Sequence, residues 1–126
     1  MQYALDTNSI LYYLRNQKKL DKNFMSIVEG SNLISLSIIT KIELFSYPAL
    51  QINEEAEIKG FIKDFIINEL DDEIVEQTIK IRKKYKLKLP DAIIGATALV
   101  NNLVLITHNK KDFKKINGLK IIDPLY

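Results

Sequence analysis

Short apolar runs, Tyr3–Leu5, Leu33–Leu36, Leu103–Ile106 and Leu119–Ile122, alternate along this chain with segments whose apolar residues recur at helical spacing. A short run that is apolar on nearly every position suits a strand covered on both faces. Helices lying between such strands supply both the covering layers and the crossovers that parallel pairing needs. The alternation therefore predicts an α/β fold: a parallel sheet sandwiched by helices. Ile67–Leu70 offers one more short run, so the sheet has four or five strands.

The intervening segments carry helix signals. Thr7, Asn8 and Ser9 offer N-caps for a helix bearing Ile10, Leu11, Tyr13 and Leu14, and Asp21–Glu29 reads as a second helix ending at Gly30. Ser37–Phe45 follows, with Ile38, Ile42 and Phe45 at helical spacing and Pro48 just beyond. In Glu54–Ile66, the residues Ile58, Ile62, Phe65 and Ile66 share a face. Asp71, Asp72 and Glu73 place negative charge at the start of the next helix and Arg82–Lys86 positive charge at its end, both complementary to the helix dipole. Pro90 and Asp91 open a helix that runs through Leu99 and ends at Asn101 and Asn102, and Asp112–Ile116 reads as a short one. With 126 residues, no repeat and no linker, residues 1–126 form one domain.

What the chain lacks narrows its chemistry. It has no Cys, which removes disulfides, thiol nucleophiles, iron–sulfur clusters and cysteine zinc sites, and agrees with a cytoplasmic setting. A single histidine, His108, excludes paired-histidine zinc motifs. Glycines at 30, 60, 95 and 118 are too dispersed for a P-loop or a dinucleotide fingerprint. The most apolar stretch, Ala92–Ile106, is short and interrupted by Asn101 and Asn102, so no membrane span is expected. The net charge is only +2, yet lysines and arginines cluster at Lys18–Lys19, Arg82–Lys88 and Lys110–Lys115. Such clusters suit either a phosphate backbone or solvated helix faces.

Four acids stand where a parallel sheet builds sites, beyond the carboxyl ends of strands. Asp6 follows the first strand and reads either as a helix N-cap or as a ligand. Asp91 occupies the first turn of an apolar helix, with Gly95 and Ala98 on its face, and the same two readings apply. Glu43 lies between Ile42 and Leu44, as a solvated stripe or as a site residue. Asp112 follows Thr107, His108 and Asn109, as a surface acid or as a fourth ligand, while His108 itself reads as a surface residue or a phosphate contact. Convergent carboxylates without His or Cys match a hard cation such as Mg²⁺, which keeps several waters. Paired ions about 3.5–4 Å apart activate water and stabilise the leaving oxygen of a phosphodiester.

Asp6-Thr7-Asn8, Ile38–Leu44 around Glu43, Leu89–Ala98 around Asp91, and Thr107–Phe113 around Asp112 occur in the order and spacing of the PIN-domain ribonucleases. The chain resembles that family, and its ending Gly118–Pro124 resembles the VapC-like toxins within it. Phe45-Ser46-Tyr47-Pro48 stands where the family pattern has a glycine. The resemblance implies a metal-dependent endoribonuclease, the toxin half of a toxin–antitoxin pair held in check by a cognate antitoxin. It implies that Asp6, Glu43, Asp91 and Asp112 form the catalytic and metal-binding pocket for Mg²⁺ or Mn²⁺. Thr7, Asn8, Thr107 and Asn109 are the supporting polar residues. RNA is the expected substrate. A homodimer is expected as well, since Ile, Leu, Phe and Tyr between Leu11 and Phe65 exceed what one small core needs. The alternative is a PIN-like module that binds RNA or protein without cutting. A phospho-acceptor domain would carry paired acids after its first strand, where this chain has Thr7 and Asn8.

Overall fold

A computed structural model describes residues 2–15 and 18–126. In chain order its elements are β1 (Gln2–Leu5), α1 (Thr7–Leu14), α2 (Lys22–Glu29), β2 (Leu33–Ser37), α3 (Ile38–Phe45), α4 (Ile52–Ile62), β3 (Ile66–Asn68), α5 (Asp72–Lys84), α6 (Leu89–Val100), β4 (Val104–Ile106), α7 (Lys110–Phe113) and β5 (Ile121–Ile122). The strands form one sheet of order β3-β2-β1-β4-β5, with every neighbouring pair parallel. β1 is central, its Tyr3 level with Ile34 of β2 and with Val104 of β4. The chain steps outward from β1 to β2 and β3, then returns to β4 and β5 on the other side. The strand order thus reverses beside β1, and the crevice between the ends of β1 and β4 is where ligands bind in such sheets.

The pleat divides the core in two. Tyr3, Leu5, Ile34, Leu36, Val104 and Ile106 pack with Ile10, Phe24, Leu44, Ile58 and Ile62 from α1–α4. Ala4 and Leu105 point the other way, into a cluster with Ile74 and Ile81 of α5 and with Ala92, Ile94, Ala96 and Ala98 of α6. Small residues on that face, Ala4 and the buried Ser35, let the apolar helix α6 lie close to the sheet.

The helix boundaries follow local chemistry. Asp71 Oδ1 accepts from Ile74 N at 2.9 Å to cap α5, whose acidic first turn and basic last turn are as the sequence predicts. α6 ends with Asn102 at φ 52°, and Leu103 N donates to Ala98 O at 2.8 Å. Asn102 N bonds Leu99 O at 3.2 Å, completing a Schellman motif that turns the chain straight into β4.

Several boundaries depart from the sequence expectation. Thr7, Asn8 and Ser9 are already helical; Asp6 is the cap of α1. α4 begins at Ile52 and stops at Ile62, because β-branched Ile66 and Ile67 pair with Ser35 and Leu36 instead of continuing the helix to residue 66. The third strand is therefore Ile66–Asn68 rather than Ile67–Leu70. α7 covers Lys110–Phe113 rather than Asp112–Ile116, and β5 keeps only Ile121–Ile122 of the expected run. In α3 it is Thr40 and Leu44 that are buried, while Ile42 is 55% exposed. No helix among the described residues is long and apolar enough to cross a membrane.

Candidate active site

Asp6 ends β1 in extended backbone, and its own N–H still pairs with Ile106 O of β4 at 3.3 Å. Its Oδ1 accepts from Ser9 N at 2.9 Å, which is the N-cap bond, and its Oδ2 accepts from Thr107 Oγ1 at 2.6 Å. Ser9 Oγ bonds Ile106 O at 2.9 Å, fastening the first turn of α1 to the end of β4. Asp6 thus caps α1 and also lines the cleft at the end of β1. Thr7, one residue on, donates from Oγ1 to Glu43 Oε1 at 2.7 Å and so orients an acid delivered by α3.

Asp91 resolves its two readings differently. The cap position of α6 belongs to Lys88, with no side-chain bond, and Asp91 lies in the first turn with no hydrogen bond or ion pair among the described residues. Its carboxylate faces the same cleft as Asp6 and Glu43. That cleft has a volume of about 180 Å³ and is lined by Asp6, Thr7, Asn8, Glu43, Asp91, Ile94, Asn109 and Phe113. Asp112 stands at the rim. Its Oδ2 accepts from Asn109 Nδ2 at 3.2 Å and its Oδ1 lies 3.7 Å from Lys115 Nζ. Asn109 N in turn bonds Thr107 Oγ1 at 3.0 Å, so the loop after β4 is tied to both Asp6 and Asp112.

Three of the four predicted acids therefore border one cleft and the fourth acts on it by charge. Among the described residues no three His, Asp or Glu side chains close into a ready-made metal cage. The carboxylates frame the space instead, an arrangement that suits a cation retaining part of its water shell. Two apolar residues, Ile94 and Phe113, also wall the cleft and were not singled out in the sequence. Their signal was positional: Ile94 lies three residues after Asp91 on a helix, and Phe113 directly follows Asp112. Gly95 lets Ile116 and Phe113 lie against α6, since a Cβ there would be 2.7 Å from Ile116 Cδ1 and 3.8 Å from the Phe113 ring.

The electrostatics mark the same place. Burial pushes the Asp6 carboxyl above its ordinary range despite the opposing bonds from Ser9 and Thr107, and the charge of Glu43 adds to the rise. Asp91 is raised by partial burial and then by the charges of Asp112, Glu43 and Asp6, with Lys88 opposing. Folded protein thus holds these protons more tightly than the unfolded chain does. Each group then costs stability as pH rises above the ordinary aspartate pKa near 4. In chelator, the melting temperature of Asp91→Asn relative to the unsubstituted chain is expected to grow from about pH 4 to pH 7. A difference that stays flat or shrinks would show that Asp91 is not under this repulsion.

The PIN domain family description matches residues 3–119. A ribonuclease VapC1 of Haemophilus influenzae (strain R2866) is 30% identical over 129 residues, covering 95% of this chain and 96% of the relative. A tRNA(fMet)-specific endonuclease VapC of Salmonella typhimurium is 25% identical over 131 residues, 98% of each chain. Among solved structures, a toxin–antitoxin complex from Klebsiella pneumoniae is similar at TM-score 0.76 and 31% identity, covering 97% of each chain.

Proposed function

Since this chain belongs to the PIN domain family, we propose that it is the toxin half of a toxin–antitoxin pair, an endoribonuclease using a divalent cation held by Asp6, Glu43 and Asp91. Relatives similar to it are named as VapC ribonucleases, and a toxin–antitoxin complex shares the fold, which supports an antitoxin partner in a cytoplasmic setting. The observation that carries the reading is the unpartnered carboxylate of Asp91, facing Asp6 and Glu43 at the point where the strand order reverses.

PIN-domain ribonucleases generally use a divalent metal. The donor set here fits one: carboxylate, hydroxyl and amide oxygens with no sulfur, and two carboxyls whose burial, together with their neighbours' charge, disfavours the metal-free anions. We take Mg²⁺ as the working ion, with Mn²⁺ as its substitute; when bound it supplies an activated water and stabilises the leaving oxygen of the cut bond. The protein's own part is positioning. Thr107 and Ser9 fix Asp6, Thr7 fixes Glu43, and Asn109 fixes Asp112 at the rim. Ile94 and Phe113 keep one wall dry, which strengthens every charge interaction inside. Asn8 lies on the exposed first turn of α1 and presents its amide to whatever enters.

The test is incubation of the protein with tRNA, initiator tRNA included, in Mg²⁺, in Mn²⁺ and in chelator. Discrete cleavage products are expected with either ion and none in chelator. Binding of RNA without cleavage in any ion would favour the non-catalytic module.

We propose a homodimer too. Val75 and Ile79, one turn apart on α5, are 43% and 50% exposed, and Ile42 on α3 is similarly open. A second copy is the occupant that these apolar positions suit. A dimer mass is expected in solution at tens of micromolar; Ile79→Glu should shift it toward monomer, and a monomeric unsubstituted chain would overturn the assignment.

A further inference from the structure

Next to the cleft, on the outer side of Asn8 and Asn109, lies a second group of side chains that positioning of the acids does not use. Tyr12 is one helical turn beyond Asn8 on α1, and His108 immediately precedes Asn109. Their rings meet edge to face, 6.4 Å between centroids with planes at 80°. His108 Nδ1 lies 3.0 Å from Asp123 Oδ1, and Lys110 Nζ lies 3.2 Å from Asp123 Oδ2. Asp123 also accepts from Leu125 N at 3.0 Å, so it is fixed by the backbone that follows β5. Its two oxygens hold two side chains of the loop after β4 in defined positions, yet those side chains remain 53% and 59% exposed. Lys110 uses one of its three donors on Asp123, and the imidazole Nε2 of His108 has no partner among the described residues.

An acidic cleft repels the phosphates of any RNA that approaches it. A fixed cation at its edge, Lys110, offsets that repulsion, and a perpendicular pair of rings offers a face on which an unpaired base stacks. Lys111 and Lys114 on the same short segment add positive charge with no ion pair among the described residues. We propose that Tyr12, His108 and Lys110 form a nucleotide subsite beside the cleft. Lys110 contacts a phosphate next to the bond that is cut, and the Tyr12–His108 corner takes the adjoining base. Asp123 is a positioning residue that aims both contacts. The assignment rests on the ribonuclease reading.

The experiment measures anisotropy of a fluorescein-labelled 12-nucleotide single-stranded RNA of mixed sequence, titrated with the full chain in chelator so that no cutting occurs. Lys110→Ala is expected to weaken binding about tenfold. It should also lower the slope of log affinity against log salt by about 0.7, one phosphate contact on a single strand. Tyr12→Leu keeps apolar packing and is expected to weaken binding about tenfold with the salt slope unchanged, and Tyr12→Phe to restore it. Asp123→Asn is expected to weaken binding, and in cleavage assays all three weakened variants raise KM more than they lower kcat. Lys63→Ala, at the end of α4, serves as the control lysine. Melting temperatures on the same samples separate lost contact from lost fold. Unchanged affinity and salt slope for folded Lys110→Ala and Tyr12→Leu would overturn the subsite, even if the chain cuts RNA. Weakened binding by these variants in a chain that cuts nothing would uphold the subsite and sink the ribonuclease reading instead.

Discussion

Asp91→Asn is expected to lower RNA cleavage on the order of a thousandfold while raising the melting temperature of the metal-free protein. The activity loss follows from replacing an anionic oxygen by an amide in a site whose other acids cannot move to compensate; loss of one preorganised charge-stabilising group typically costs 10²–10³-fold. The stability gain follows from the raised carboxyl of Asp91, which is partly buried and is also repelled by Asp112, Glu43 and Asp6. Asparagine removes that repulsion and loses only the favourable charge–dipole contact of the first turn of α6, worth less than about 1 kcal/mol. Added Mn²⁺ should raise the melting temperature of the unsubstituted chain by mass action and do less for the variant. Full cleavage by Asp91→Asn would remove this residue from the mechanism.

Phe113→Ala carries the largest expected effect on stability. The side chain is 1% exposed, packs in the cluster with Ile74, Leu105 and Ile116, and walls the cleft beside Asp91. Truncating a buried phenylalanine to alanine costs about 3–5 kcal/mol, a large share of the roughly 5–15 kcal/mol that holds a domain folded. The melting temperature is expected to fall by about 15 °C. Cleavage should fall further than the folded fraction alone explains, because water enters the dry wall and α7 no longer holds Asp112 at the rim. Phe113→Leu fills most of the volume and is expected to recover most of the loss. A change of only a few degrees for the alanine variant would mean that this wall is not packed as described.

The parallel sheet was legible because strands covered on both faces have to be apolar on nearly every position, and Leu103–Ile106 has no other use. The third strand was blurred because Phe65 and Ile66 continue the helical period of Ile58 and Ile62; only pairing with β2 decides against it. Ile42 misled in the same manner: its spacing fits a buried stripe, but α3 rolls so that Thr40 and Leu44 face inward. The acids were legible by position at strand and helix ends. Their environments were legible only in part: the cap on Ser9 is local to Asp6, but its bond from Thr107 spans 101 positions, and nothing near Asp91 in sequence tells that its carboxylate has no partner among the described residues. Asp123 shows the limit most clearly: its partners His108 and Lys110 lie 15 and 13 residues away, brought together by parallel pairing of β4 with β5.

The bond between Thr107 and Asp6 joins residues 101 positions apart. β1, first of the strands to be synthesised, is the centre of the sheet and acquires its second neighbour only when β4 arrives. On a ribosome making this chain the cleft therefore cannot close until about nine-tenths of the sequence has emerged. Thr107, Asn109 and Asp112 all belong to the loop after β4 and the short helix that follows it, so they reach the cleft together. Closure of the cleft therefore falls late in translation: the central strand waits through the 101 positions that separate Asp6 from Thr107 for the loop that completes it.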